Sequence, residues 1–277
     1  MATKKTTIEN KEVAKKLLIT PAELQQLHKM NGWLALVFAV QAVAVVLFGG
    51  SKVVPVTSSY LAVDQLGTQA TGHQVLAVAA RHLFDIRFTI VAAIFLAVFA
   101  LTNLALATVG RKQYEQRLQR GMHIARWLSF ALGGGLMVAA IGLESGIYEV
   151  TGLIALFGFT VLGVSLEPLA ERLHREARGT MLAAAVCTTA TVAASLPWIM
   201  LGIGVLGAVL WNGHIPGSVY VMYVTTLVLL GCWGLAARFR MTARGKWGDV
   251  LYAEKMYMFL GLVAATILAW QIFAGAF

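Results

Sequence analysis

Seven stretches of this chain are apolar for long enough to cross a membrane, and that feature leaves few folds open to it. A hydrocarbon core about 30 Å thick needs roughly 20 apolar residues per helix. Runs of that kind lie at 30–49, 88–109, 127–145, 150–166, 180–210, 217–237 and 256–277. Of the residues, 58% are hydrophobic and 13% charged, against about 25% charged in soluble domains. The chain therefore reads as an all-α membrane protein, one domain of seven transmembrane helices over residues 1–277. The run at 180–210 is too long for one straight span and counts once, with Pro197 and Trp198 as the expected place for it to kink or to extend past the headgroups. The first run follows about thirty residues of ordinary sequence, which is unlike the short charged leader of a cleavable signal. It is expected to stay as a helix.

The formal net charge of +9 raises the question of nucleic acid, and the placement of the basic residues answers it. All but Lys52, Arg81 and Arg87 of the 22 lysines and arginines fall in 1–29, 110–126, 171–178 and 238–255. These segments share one side of a seven-span layout. By the positive-inside bias that side is the cytoplasm, so the N-terminus is inside and the C-terminus outside. Topology and contact with anionic lipid heads account for the excess charge, and no nucleic-acid partner is expected.

Thr20, Pro21 and Glu23 carry the pattern of a capping box with proline at the first helical position, so the first spanning helix is expected to begin there. Ahead of it, "IENKEVAKKLL" suits a short amphipathic helix on the cytoplasmic headgroups, within residues 1–20. The long outer connection, 50–86, contains "KVVPVTSSYLAV". Its β-branched residues favour strands, and an outer hairpin is expected there.

Ionisable side chains at membrane depth are the default markers of ion paths and proton relays. The seven apolar runs hold none in their interiors: Arg87, Glu144, Glu167 and Lys255 sit near the ends. That argues against a pump or an ion-coupled transporter. The histidines fall into loops or interfaces on this reading, His28, His123 and His174 inside and His73, His82 and His214 outside. No metal site is expected. Cys187 and Cys232 read as packing residues. Gly133, Gly134 and Gly135 in the third run permit close helix approach, or leave room for an apolar ligand.

The motifs "YEQRLQRGMHIARW", "PVTSSYLAVD" followed by "LFDIRF", "SLPWIMLGI" and "GKWGDVLYAEKMYMFLGLVAATILAW" together resemble the heliorhodopsin family, in order and from about Leu27 to Ala276. The resemblance implies a rhodopsin-like seven-helix bundle, an outer strand hairpin after the first helix and commonly a homodimer. It also implies retinal held as a Schiff base on a lysine of the seventh helix, in a stretch resembling "LVAKSLLAW". Here the stretch is "LVAATILAW", which puts Ala265 at the lysine position and Gly261 where a serine is usual. In the third helix the family pattern resembles "RWxEYSxSxS". Arg126 and Trp127 match it, but Ser129 stands at the counter-ion glutamate, followed by Phe130, Gly133 and Gly135. Phe38 and Asn103 occupy positions where pocket histidines are expected.

These departures share one logic. A buried carboxylate is tolerable while a cation faces it and becomes an unpaired buried charge once that cation goes, so lysine and glutamate are expected to be lost together. The functional reading is a non-enzymatic, multi-pass protein of the cell membrane without covalent cofactor. It would serve as a scaffold, interaction or signalling protein with membrane lipids, a second copy and an unidentified protein as partners, and with an apolar ligand or lipid as occupant of the vestigial pocket. The alternative is a light sensor that binds retinal or a carotenoid without a covalent bond. Lys255, ten residues before Ala265, reads as an end-of-helix base paired with Glu254 or reaching the headgroups.

Overall fold

The computed structural model describes residues 19–176, 181–211, 213 and 216–275. In chain order its elements are α1 (Pro21–Phe48), β1 (Val53–Val63), α2 (Gln65–Thr71), β2 (Leu76–Arg87), α3 (Phe88–Ala107) and α4 (Arg111–Gln119), then α5 (Ile124–Glu144), α6 (Val150–Glu176), α7 (Met181–Leu210), α8 (Gly217–Met241) and α9 (Val250–Gly275). A 3-10 turn, Gly245–Gly248, precedes α9. Seven of the helices, α1, α3 and α5 to α9, are long and apolar enough to span a membrane. The expected seven-helix bundle is present. The amphipathic helix expected before Thr20 lies outside the described residues.

Local chemistry sets the helix ends. The Thr20 hydroxyl accepts from the Glu23 N–H at 3.3 Å, and the Glu23 carboxylate accepts from the Thr20 N–H at 2.8 Å. This reciprocal capping box starts α1 nine residues before the apolar run does. Several other spans are also longer than hydropathy alone implies. Helix α6 passes through Pro168 and ends at Glu176, and α7 stays one helix through the buried Pro197, at about 45 Å by helical rise. Helix α9 begins at Val250, so Glu254 and Lys255 belong to the span. These extra turns carry the charged residues that the apolar runs leave out.

Helix α5 is the centre of the bundle: 67% of its spanning window is buried, and no other span exceeds 39%. The main core joins Phe38 of α1, Phe95 and Phe99 of α3, Trp127 and Phe130 of α5, Trp233 of α8 and Tyr257 of α9. Helices α6 and α7 approach closely at Gly163, where an added Cβ would come within 2.6 Å of the Ala194 backbone nitrogen. The long apolar side chains on the bundle's outer face, from Trp33 to Trp270, are exposed, as a lipid-facing surface requires. Cys232 is on that exposed face, so of the two cysteines only Cys187 is partly packed.

The outer hairpin is present, with its tip built differently from a tight turn. Strands β1 and β2 pair antiparallel from Val53 with Arg87 to Val63 with Leu76, with a bulge between Val56 and Thr57. The short helix α2 closes the ribbon. It is capped at one end by the Asp64 carboxylate on the Leu66 N–H and stopped at the other by Gly72, whose φ of +70° suits glycine. The base of the ribbon is fixed to the bundle: Val54 and Val56 are buried, and the Thr57 N–H donates to the Tyr148 carbonyl at 2.8 Å.

A latch at the outer end ties three elements together. The Lys52 ammonium lies 2.8 Å from the Glu144 carboxylate at the end of α5 and donates at 3.0 Å to the Gly275 carbonyl at the end of α9. The Glu144 side chain is almost fully buried. The cation thus neutralises a buried carboxylate and meets the negative end of a helix dipole.

Candidate functional site

The positions singled out by the family resemblance divide between two environments. In the middle of the bundle, Ala265 and Phe38 are fully buried and Phe130 nearly so, all three in the main core. The Phe38 and Phe99 ring centroids are 5.4 Å apart, Phe99 and Phe130 5.2 Å, and Phe130 and Trp233 3.4 Å. Trp233 in turn stacks on Tyr257 at 5.1 Å. The rings form a continuous row from α1 to α9.

Glycines make that row fit. A Cβ on Gly261 would lie 2.8 Å from the end of the Phe130 ring, and one on Gly133 would lie 2.5 Å from the Phe99 ring. A Cβ on Gly135 would meet Phe157 at 2.7 Å, and Gly134 faces Thr160 at ordinary contact distance. Aromatic rings fill the space that these missing side chains open. Ser129 is buried, and its hydroxyl turns back to the Arg126 carbonyl at 2.8 Å. Beside Ala265, the Thr266 hydroxyl accepts from Gln41 at 3.2 Å, and Gln41 accepts from the Trp270 indole at 3.1 Å.

Asn103 belongs to the second environment, toward the cytoplasmic end, and this one the apolar runs did not reveal. Glu254 of α9 has no exposed surface. Its carboxylate accepts from Tyr114 of α4 at 2.8 Å and from Arg126 Nε of α5 at 2.7 Å, and it lies 2.6 Å from Nδ1 of His123. The Arg126 guanidinium also donates to Asn103 of α3 at 2.7 Å and to Asn31 of α1. Five elements meet on one ion pair.

Several expectations are corrected here. Ionisable groups are present inside the spanning helices. Of the histidines expected in loops or interfaces, His28 lies on α1 and His123 in the link before α5, and both are buried. His28 Nε2 lies 2.7 Å from the Glu115 carboxylate of α4, which also accepts from Arg111 at 3.0 Å. Lys255 does not pair with Glu254, since its ammonium donates to Gln26 of α1 at 3.2 Å. A second buried pair, Arg240 of α8 with Glu171 of α6 at 3.3 Å, is steadied by Arg240 bonds to the Trp247 and Gly248 carbonyls. On the outside, His82 does bond Asp85, at 2.7 Å and in an exposed setting.

The electrostatics of α4, outside the spans, follow from these partners. Arg111 and then His28 hold the Glu115 carboxyl below the usual carboxylate range. Burial, reinforced by the neighbouring Glu254 charge, pushes the Tyr114 phenol well above its ordinary value. Tyr114 therefore stays a neutral donor. A buried carboxylate with one strong cation and several hydrogen-bond donors is the arrangement in which the cost of desolvation is offset. It joins helices firmly, and the Glu254 carboxylate is fully engaged within it.

A signal for this cluster was present in the sequence. Asn31, Asn103, Arg126 and Glu254 are polar residues on otherwise apolar helices, all within a few turns of a cytoplasmic end. Tyr114 and Arg126 reach Glu254 across 140 and 128 residues of chain, so spacing alone does not pair them. Among the described residues no group of three or more histidine, cysteine or acidic side chains is placed to hold a metal ion.

The family model for heliorhodopsins matches residues 27–277. No curated protein matches the chain.

Proposed function

The chain belongs to the heliorhodopsin family, and from that premise we propose that it is a member without covalent retinal, a non-enzymatic and non-photoactive scaffold or signalling protein of the cell membrane. The observation that carries the proposal is Ala265, fully buried where the family resemblance puts the retinal lysine. A methyl group has no amine with which to form an imine, so a covalently held retinal does not fit the residues present.

The surroundings support the same reading. Ser129, at the counter-ion position, is committed to a backbone carbonyl. Phe130 and Trp233 lie between α5, α8 and α9, so an apolar ligand in the vestigial pocket would have to displace aromatic rings. A lipid tail has an easier place in the apolar groove of about 390 Å³ on the lipid-facing side of α1 and α3, lined by Ala42, Val46, Ile90 and Ile94. The proposal includes a homodimer. The hairpin exposes Tyr60, Leu61, Val78 and Phe84, and a two-stranded ribbon is marginal in water by itself. A protein partner that receives the signal is also part of it.

Purified protein mixed with all-trans retinal is expected to show no red-shifted absorption band that hydroxylamine bleaches. Such a band would sink the proposal. Organic extraction of protein taken from its native membrane is expected to release no stoichiometric polyene. Recovery of one without an imine would establish a light sensor with non-covalent retinal or carotenoid instead.

A further inference from the structure

Between α4 and the cytoplasmic ends of α3 and α5 lies a half-enclosed cavity of about 80 Å³. Leu106, Gly110 and Met122 form its apolar side. Gln113, Tyr114, Arg117, His123 and Arg126 form the rest, and none of the lining residues is acidic. The volume suits a few waters or one tetrahedral oxyanion.

The lining has unspent capacity to bind an anion. His123 is 3% exposed, and with Nδ1 on Glu254 its Nε2 has no partner. A buried nitrogen left unpaired costs stability until water or a ligand meets it. Charge accounting points the same way. Glu254 offsets Arg126, and Glu115 is held by Arg111 and His28. Arg117, at the cavity, forms no ion pair among the described residues, and exposed Lys112 and Arg120 lie in the same short segment. The short links from α3 to α4 and from α4 to α5 keep this cavity at the depth of the lipid headgroups, where anionic lipids concentrate.

We propose that this cavity binds a phosphate-type oxyanion, supplied either by the headgroup of an anionic phospholipid or by free inorganic phosphate. The Arg117 guanidinium provides the planar fork that suits phosphate oxygens, and His123 Nε2 provides a second donor from the buried side. With its Nδ1 proton directed at Glu254, the imidazole donates from Nε2 in its protonated form. The groups that face His123 are Glu254 and Tyr257 of α9, Arg126 of α5, and Tyr114 and Arg117 of α4.

The test is calorimetric titration of the full chain, in nanodiscs of neutral phosphatidylcholine, with inorganic phosphate. Saturable binding is expected, weakened about tenfold by Arg117→Gln, the loss of one charge-assisted contact. In nanodiscs that contain phosphatidylglycerol, disappearance of the phosphate heat identifies the headgroup as the natural source, and its persistence identifies free phosphate. Absence of phosphate binding in the neutral nanodisc, or an affinity unchanged by Arg117→Gln, would each overturn the assignment.

Discussion

Near the cytoplasmic end, α5 and α9 are joined by the Arg126 and Glu254 ion pair. One turn further along α5 and two turns along α9, the same helices meet through the Phe130 ring lying on Gly261. The first junction is polar, directional and shared by five elements. The second is apolar, and its close approach depends on glycine. The difference teaches where a membrane bundle tolerates loss. The family resemblance puts the chromophore chemistry at the apolar junction, where a lysine and a glutamate can be replaced in concert and rings can occupy the space. At the polar junction a single replacement leaves a buried charge facing partners that do not neutralise it.

This contrast makes graded predictions. The largest effect is expected from Glu254→Ala, which leaves Arg126 buried without its counter-charge and should cost about 3–5 kcal/mol in denaturant or thermal unfolding in detergent. The double variant Arg126→Met, Glu254→Met should recover much of that loss, and a double variant as unstable as the single would show that the cluster is held by something other than charge. Phe130→Ala comes close behind, at about 3–5 kcal/mol for an aromatic removed from a packed core. Unlike the charge variant, it should be rescued in part by a ligand that fills the cavity. Gly261→Ala should cost about 1–3 kcal/mol by overpacking against Phe130, and a neutral result would mean that the ring row is looser than its distances state.

At the outer end, Lys52→Ala removes the partner of the buried Glu144. It is expected to lower stability by about 1–3 kcal/mol, less than the Glu254 change because Lys52 is itself 40% exposed. The smallest effect belongs to the partly exposed Glu115. Its folded-state pKa is lowered by Arg111 and His28, so its contribution is present above the usual carboxylate range and lost as pH falls through the folded value. Glu115→Gln should therefore flatten the acid side of the stability profile by no more than about 1 kcal/mol, with no change at neutral pH beyond that amount.

Part of this architecture was legible in the sequence because it depends on local quantities. The seven apolar runs announce the spans, Thr20 with Glu23 announces the start of α1, and "KVVPVTSSYLAV" announces β1. The helices α2 and α4 were not visible, since each is a short polar segment whose form depends on Asp64 at a cap or on Tyr114 and Leu118 docking into the bundle. At the site, Ala265 and Ser129 could be placed by resemblance, but the rings that fill the space beside them could not, since the neighbours of Phe130 come from α3, α8 and α9.

The sequence by itself determined the number of crossings, their direction and the absence of an amine at position 265, because hydropathy, charge bias and covalent chemistry are carried by each segment alone. Only the tertiary structure decided that Glu254 is the hub of a buried ionic cluster and that glycines along α5 receive aromatic rings. Both results depend on which residues of different segments the packing of seven helices brings within hydrogen-bond or van der Waals distance.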